Sequence, residues 1–201
     1  MDPRERRAQI LVAAARLFGD RGYHDTSVSD IIAAAGIARG TFYIYFQSKR
    51  ALFAELVDDL LARLHAAIRR VDTEAGAPSA RQQLLDNMMR VLEMLTEERA
   101  LLAILLEGAV GLDRAFDSKL GEFYDEVARA VEASLVLGRE MGLVRDCDTR
   151  VVSLAVLGAI KELLHEILRE GPSSRESFES LAGCVLDVFS RGVLADGASI
   201  P

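Results

Sequence analysis

Between Arg39 and Lys49 the chain carries side chains suited to phosphates and base edges and to little other chemistry. Arg39 presents a planar guanidinium fork that matches O6 and N7 of guanine. Thr41, Tyr43 and Tyr45 carry hydroxyls for phosphate oxygens or base edges. Ile44 offers an apolar surface to a thymine methyl, and Gly40 lets a partner approach the backbone closely. Lys49 stands where its charge and the N–H groups of a new helix would together hold a phosphate. Nothing elsewhere competes. His24, His65 and His165 lie in separate segments, and the chain has no nucleophile elbow, phosphate-cradling glycine loop or metal-ligand spacing. Neither an enzyme nor a bound cofactor or metal is expected. Cys147 and Cys184 are far apart and read as reduced thiols.

The neighbouring residues place this run on a short helix. Ser27 and Asp30 have the spacing of a capping box and open a helix that runs through Ala35. Gly36 suits the left-handed turn that follows, and a further helix spans Ala38 to Phe46. Phe42 and Phe46, four residues apart, are expected to pack against Ile31, Ile32 and a first helix over residues 4–21, whose stripe is Ile10, Ala14, Leu17 and Phe18. Two short helices about a glycine, the second displaying Arg, Thr and Tyr, form a helix-turn-helix, in which the second helix lies in the major groove. Thr26 and Ser27, at the start of the first of the pair, are counted with Arg39, Gly40, Thr41, Tyr43, Ile44, Tyr45 and Lys49 as DNA-binding residues.

Gly22-Tyr23-x-x-Thr26-Ser27-Val28-x-Asp30-Ile31, then Ala35-Gly36-Ile37-Ala38-x-Gly40-Thr41-Phe42-Tyr43-x-Tyr45-Phe46, then Ser48-Lys49, closely resembles the signature of the TetR family of bacterial transcriptional repressors. The resemblance implies nine or more helices, the first three forming the DNA-binding domain. It implies that Thr41, Tyr43 and Lys49 hold phosphates while Arg39, Gly40 and Tyr45 approach bases. Tyr45 stands where many members carry histidine, a difference that bears on sequence preference.

Charge is divided to match. Residues 1–50 hold eight Lys/Arg against five Asp/Glu, a balance of +3; with 24 and 31 in the whole chain, the remainder holds 16 against 26, a balance of −10. The nucleic-acid contact therefore belongs at the N-terminus, and the acidic body is a poor DNA surface. No signal peptide precedes the first helix and no uncharged apolar run reaches the ~18 residues of a membrane span, so a soluble cytoplasmic protein is expected.

The rest reads as helix: a fourth from Ser48 with Leu52, Phe53, Leu56, Leu60, Leu64 and Ile68 inward, a break over residues 72–80, then helices near 80–96, 99–110, 115–141, 148–170 and 174–193. The fold class is all-α, with residues 1–48 a helix-turn-helix domain and residues 49–201 a helical effector-binding and dimerisation domain. Met88, Met89, Leu92, Glu107, Phe123, Tyr124 and His165 are candidates to line an apolar pocket with a few polar anchors. They point to a lipophilic effector, either a drug-like cation or a fatty-acyl compound, with Glu107 leaning towards the cation. Lys161, Glu162, His165 and Glu166 form a polar patch read as a solvated or interface face. Val156, Ile160, Leu163, Leu164, Leu181, Val185 and Val188 are expected to pair the last two helices with their copies in a four-helix bundle, as TetR-like proteins do. The expected protein is a homodimeric, ligand-responsive repressor of a palindromic operator; the alternative is a DNA-binding regulator without a small-molecule switch, controlled by a protein partner.

Overall fold

The structure, a computed structural model, describes residues 2–107, 114–170 and 175–193. Its elements are α1 (Pro3–Arg21), α2 (Val28–Ala34), α3 (Arg39–Tyr45), α4 (Lys49–Ala67), α5 (Ala80–Glu97), α6 (Arg99–Glu107), α7 (Arg114–Glu140), α8 (Thr149–Glu170) and α9 (Arg175–Val193). The all-α expectation holds, and each described boundary falls within a few residues of its place in the sequence pattern. The caps explain why. Gly22 ends α1 at φ 85°, Ser27 and Asp30 form the reciprocal capping box of α2, and Gly36 turns between α2 and α3 at φ 61°. Each is a local rule, satisfied by residues within one helical turn of one another.

The chain forms two compact units, one of residues 1–63 with 95–123, the other of residues 64–94 with 124–201. In the first unit α6 packs along α1, and Phe116 of α7 stacks on Tyr23 and on Phe53, with ring centroids 4.7 Å apart in both pairs. Phe18 meets the same cluster edge-on at Phe53. These contacts join segments far apart in sequence, so α4, α6 and the start of α7 are part of the core on which α1–α3 rest. The interior of this unit is Ile10, Ala14, Phe18, Ile31, Phe42, Phe46, Leu52, Phe53 and Leu60, all buried. Ile32, expected inside, is half-buried.

In the second unit the segment after α4 is fastened to α5. The Asn87 side chain receives Arg69 N–H and donates to Arg69 C=O, and Gln83 does the same for Asp72. Arg81 at the start of α5 pairs with Asp187 of α9 at 2.6 Å. Leu85, Met89, Leu92, Ala128, Leu164, Ile167, Ala182 and Leu186 are buried. Leu164, expected at a dimer interface, is 4% exposed and belongs to this core. Val156, Ile160, Leu163, Leu181 and Val185 are half-buried, and Val188 is exposed. The outward apolar residues of α8 are instead Val151 and Leu154, which the sequence pattern did not single out.

Candidate nucleic-acid interface

The seven residues of α3 divide cleanly by burial. Phe42 is fully buried and Phe46, its C-cap, is 3% exposed. They anchor one side of the helix, and the other side faces outward. Ile44 is 78% and Tyr43 47% exposed; Arg39 and Gly40 are exposed, Thr41 and Tyr45 half-buried. An isoleucine that exposed gains nothing from its own fold, since burying it would contribute about 1.5–3 kcal/mol. Gly40 is informative in the same way. A Cβ built there meets nothing within 4 Å, and glycine in a helix costs up to about 1 kcal/mol relative to alanine. Nothing inside the protein requires the missing side chain, whereas close approach by an outside surface would. Arg39 has no ion pair or hydrogen bond among the described residues, and Ala38 gives α3 no side-chain cap.

α3 is aimed by its neighbours. Arg7 of α1 pairs with Glu55 of α4, and its guanidinium lies 5.0 Å from the centre of the Phe46 ring. The turn before α3 is held from α1: Gln9 Nε2 donates to the carbonyl of Ala35, the C-cap of α2, at 2.8 Å. At the start of α2 the Ser27 hydroxyl and backbone N–H hold the Asp30 carboxyl below the usual carboxylate range, and Arg21, 4.0 Å away, adds to this. Ser27 is exposed, with its hydroxyl engaged in the capping box.

Two expected contacts are placed otherwise. The Lys49 ammonium donates to the carbonyls of Tyr23 at 2.7 Å, Thr26 at 2.9 Å and His24 at 3.4 Å, and it sits 4.3 Å from the centre of the Tyr23 ring. An ammonium has three protons, so its donors are committed to the α1–α2 loop. In the free protein it acts as a clamp between that loop and α4. Thr26 is 1% exposed, and its hydroxyl donates to the carbonyls of Gly22 at 2.9 Å and Leu17 at 3.3 Å. It closes the end of α1, and its side chain is turned away from any partner. The remaining expected residues, Ser27, Arg39, Gly40, Thr41, Tyr43, Ile44 and Tyr45, are brought together on α3 and the start of α2. Sequence spacing missed Arg7 and Gln9, whose partners lie 48 and 26 positions away; no short-range pattern marks either.

The expected pocket residues are dispersed. Phe123 is buried in the first unit; Met89 and Leu92 are buried in the second. Met88, Tyr124 and His165 are half-buried there, and the Glu107 side chain lies outside the described residues. Burial pushes the Tyr124 phenol up to about 12, and the Lys161 ammonium lies 4.7 Å from the centre of its ring. A cleft of about 190 Å³ in the second unit is lined by Gln82, Leu85, Asp86, Met89, Arg90, Glu93 and Glu179. It is mostly polar and below the ~300–1,000 Å³ of a drug-sized site, and Met89 is the one expected pocket residue on its wall. Among the described residues no group of His, Cys, Asp and Glu is placed to hold a metal, and no helix is long and apolar enough to cross a membrane.

Residues 10–56 match the family model of bacterial regulatory proteins, tetR family. The chain is 29% identical over 199 residues to the HTH-type transcriptional regulator YdgC of Bacillus subtilis, a match that spans 98% of this chain and 96% of that one. A crystal structure of a TetR-family transcriptional regulator from Syntrophomonas wolfei has the same fold, with a TM-score of 0.81 at 21% identity over 95% of this chain and 97% of that one. FadR from Bacillus subtilis, solved in complex with stearoyl-CoA, has a TM-score of 0.74 at 23% identity over 92% and 98%. The helix-turn-helix of residues 10–56 thus matches that of the TetR family of bacterial transcriptional regulators, and the chain as a whole is similar to an HTH-type transcriptional regulator.

Proposed function

We propose that the protein is a homodimeric repressor that binds a palindromic operator through α3 of each protomer and leaves it when a lipophilic small molecule binds. In this reading residues 1–48 read DNA, and residues 49–201 dimerise and sense the effector. The exposed side of α3 carries the proposal, because Arg39, Gly40, Tyr43 and Ile44 have no use in the protein's own core. Val151 and Leu154 on α8 and Val188 on α9, 60%, 48% and 71% exposed, support dimerisation through these two helices in a four-helix bundle. Such a dimer meets two half-sites roughly 34–36 Å apart, so an effector that favours a different spacing of the recognition helices releases the operator.

Two observations favour an acyl effector over a cation. The half-buried Lys161 has no acidic partner among the described residues and faces only the Tyr124 ring, so its charge suits a carboxylate or phosphate. One similar fold, FadR of Bacillus subtilis, was solved with stearoyl-CoA.

The test is DNA binding to duplexes taken from upstream of this gene and its neighbours, with and without stearoyl-CoA. One duplex should bind far more tightly than random sequence, and stearoyl-CoA should release it. Arg39→Ala should weaken that duplex by about 1–3 kcal/mol per half-site and random DNA much less. Equal losses on both would remove Arg39 from base reading, and tight binding untouched by any acyl compound or lipophilic cation would remove the switch.

A further inference from the structure

The N-terminal basic residues can be sorted by what each charge meets. Arg7 pairs with Glu55, Arg16 with Asp20 and Arg21 with Asp30, and Lys49 is committed to three carbonyls. Arg4, Arg6, Arg39 and Arg50 are left without an acidic partner among the described residues. Arg4, Arg39 and Arg50 are exposed and make no side-chain contact that would hold them in one place. Arg6 is different. It is half-buried, and its Nη1 donates to Gln9 Oε1 at 2.9 Å, while Gln9 Nε2 donates to the Ala35 carbonyl at 2.8 Å. Ala35 caps α2 and precedes Gly36, whose positive φ turns the chain into α3. The relay therefore fixes a guanidinium beside the turn that leads into the recognition helix.

We propose that Arg6 is a phosphate ligand of this interface, held in place by Gln9 against the α2–α3 turn, and that it supplies a backbone contact of the kind Lys49 is not free to make. The assignment rests on the DNA-binding reading above. One N–H of the guanidinium is used by Gln9, and the remaining donors of the fork can take two oxygens of a phosphate side by side. Because Gln9 already restricts the side chain, less conformational freedom is lost when the phosphate binds. Neither nearby acid pairs with Arg6: Glu5 accepts from the Asp2 N–H and Asp2 from the Arg4 N–H in the α1 cap. Arg6 contacts no base in this arrangement, so its contribution is independent of sequence.

That independence makes the test possible without the operator. Affinity for a labelled duplex of random sequence is measured by fluorescence anisotropy between roughly 50 and 200 mM salt for the native protein, Arg6→Ala, Arg6→Gln, Arg6→Lys and Gln9→Ala. Each phosphate contact contributes about 0.9 to the slope of log affinity against log salt. Arg6→Ala and Arg6→Gln should each lower the slope by about 0.9 per bound protomer, which makes the fourfold rise in salt about 3.5 times less costly to affinity. Arg6→Lys should restore the slope. Gln9→Ala should keep it while weakening affinity severalfold, because the charge remains but is no longer held. An unchanged slope in both neutral variants would overturn the assignment while leaving the DNA-binding reading intact. Absence of salt-dependent binding by the native protein would instead overturn the reading on which it rests.

Discussion

Replacing Lys49 with methionine separates a clamp from a phosphate ligand. The substitution keeps the stem and removes the ammonium that joins the carbonyls of Tyr23, His24 and Thr26. A hydrogen bond from a charged donor contributes about 1.5–3 kcal/mol. The three here share one half-buried donor, however, and the carbonyls can take up water once it is gone. Their sum is therefore well below three times that figure. The contact with the Tyr23 ring adds about 0.5–1 kcal/mol. We expect a loss of about 2–4 kcal/mol, which in a chain of 201 residues lowers Tm by roughly 5–15 °C. Calorimetry reads the first quantity, and anisotropy on a random duplex reads the second. DNA affinity should fall, because the α1–α2 loop is loosened, but its salt slope should stay at the native value. A native Tm together with a slope lower by about 0.9 per protomer would refute the clamp and return Lys49 to the phosphate contacts.

Gly40→Ala should leave the free protein as stable or raise its stability by up to about 1 kcal/mol, since the new methyl meets nothing, while weakening operator binding; thermal melting and anisotropy on the same preparation check both, and undiminished operator affinity would show that no close approach occurs there. Val188→Asp should give monomers by light scattering with a near-native Tm per protomer, because Val188 is 71% exposed. Leu164→Ala should instead destabilise the fold by about 2–5 kcal/mol, as expected of a side chain 4% exposed. The Tyr124 phenol, raised to about 12 by burial from an ordinary value of 10.0, favours the protonated native state; the stability it contributes is fully present below about pH 10 and is lost as pH rises towards 12. Ultraviolet titration should show a late tyrosinate phase that Tyr124→Phe removes, and its persistence in that variant would reassign it.

What was legible in the sequence is what short-range rules govern. The Ser27–Asp30 capping box, the glycines at 22 and 36, the paired Phe42 and Phe46 and the break over residues 72–80 all depend on residues within a few positions of one another, and all appear where expected. The outward side of α3 was legible for the same reason, since two buried aromatics four apart leave the other residues facing solvent. What was not legible depends on partners brought from a distance. Lys49 reads as a free cation until Tyr23, His24 and Thr26, more than twenty residues earlier, present their carbonyls to it. Thr26 reads as a polar contact until the end of α1 takes its hydroxyl. The limits of the first unit depend on Phe116 reaching Tyr23 and Phe53 within one aromatic cluster. Leu164 and Val188 carry equally apolar side chains, and only packing sends one inside and leaves the other in water. Residue type states which interactions a group can make; the tertiary fold decides which of them its neighbours leave open, because a donor or an apolar surface already satisfied within the protein has little left to offer a partner.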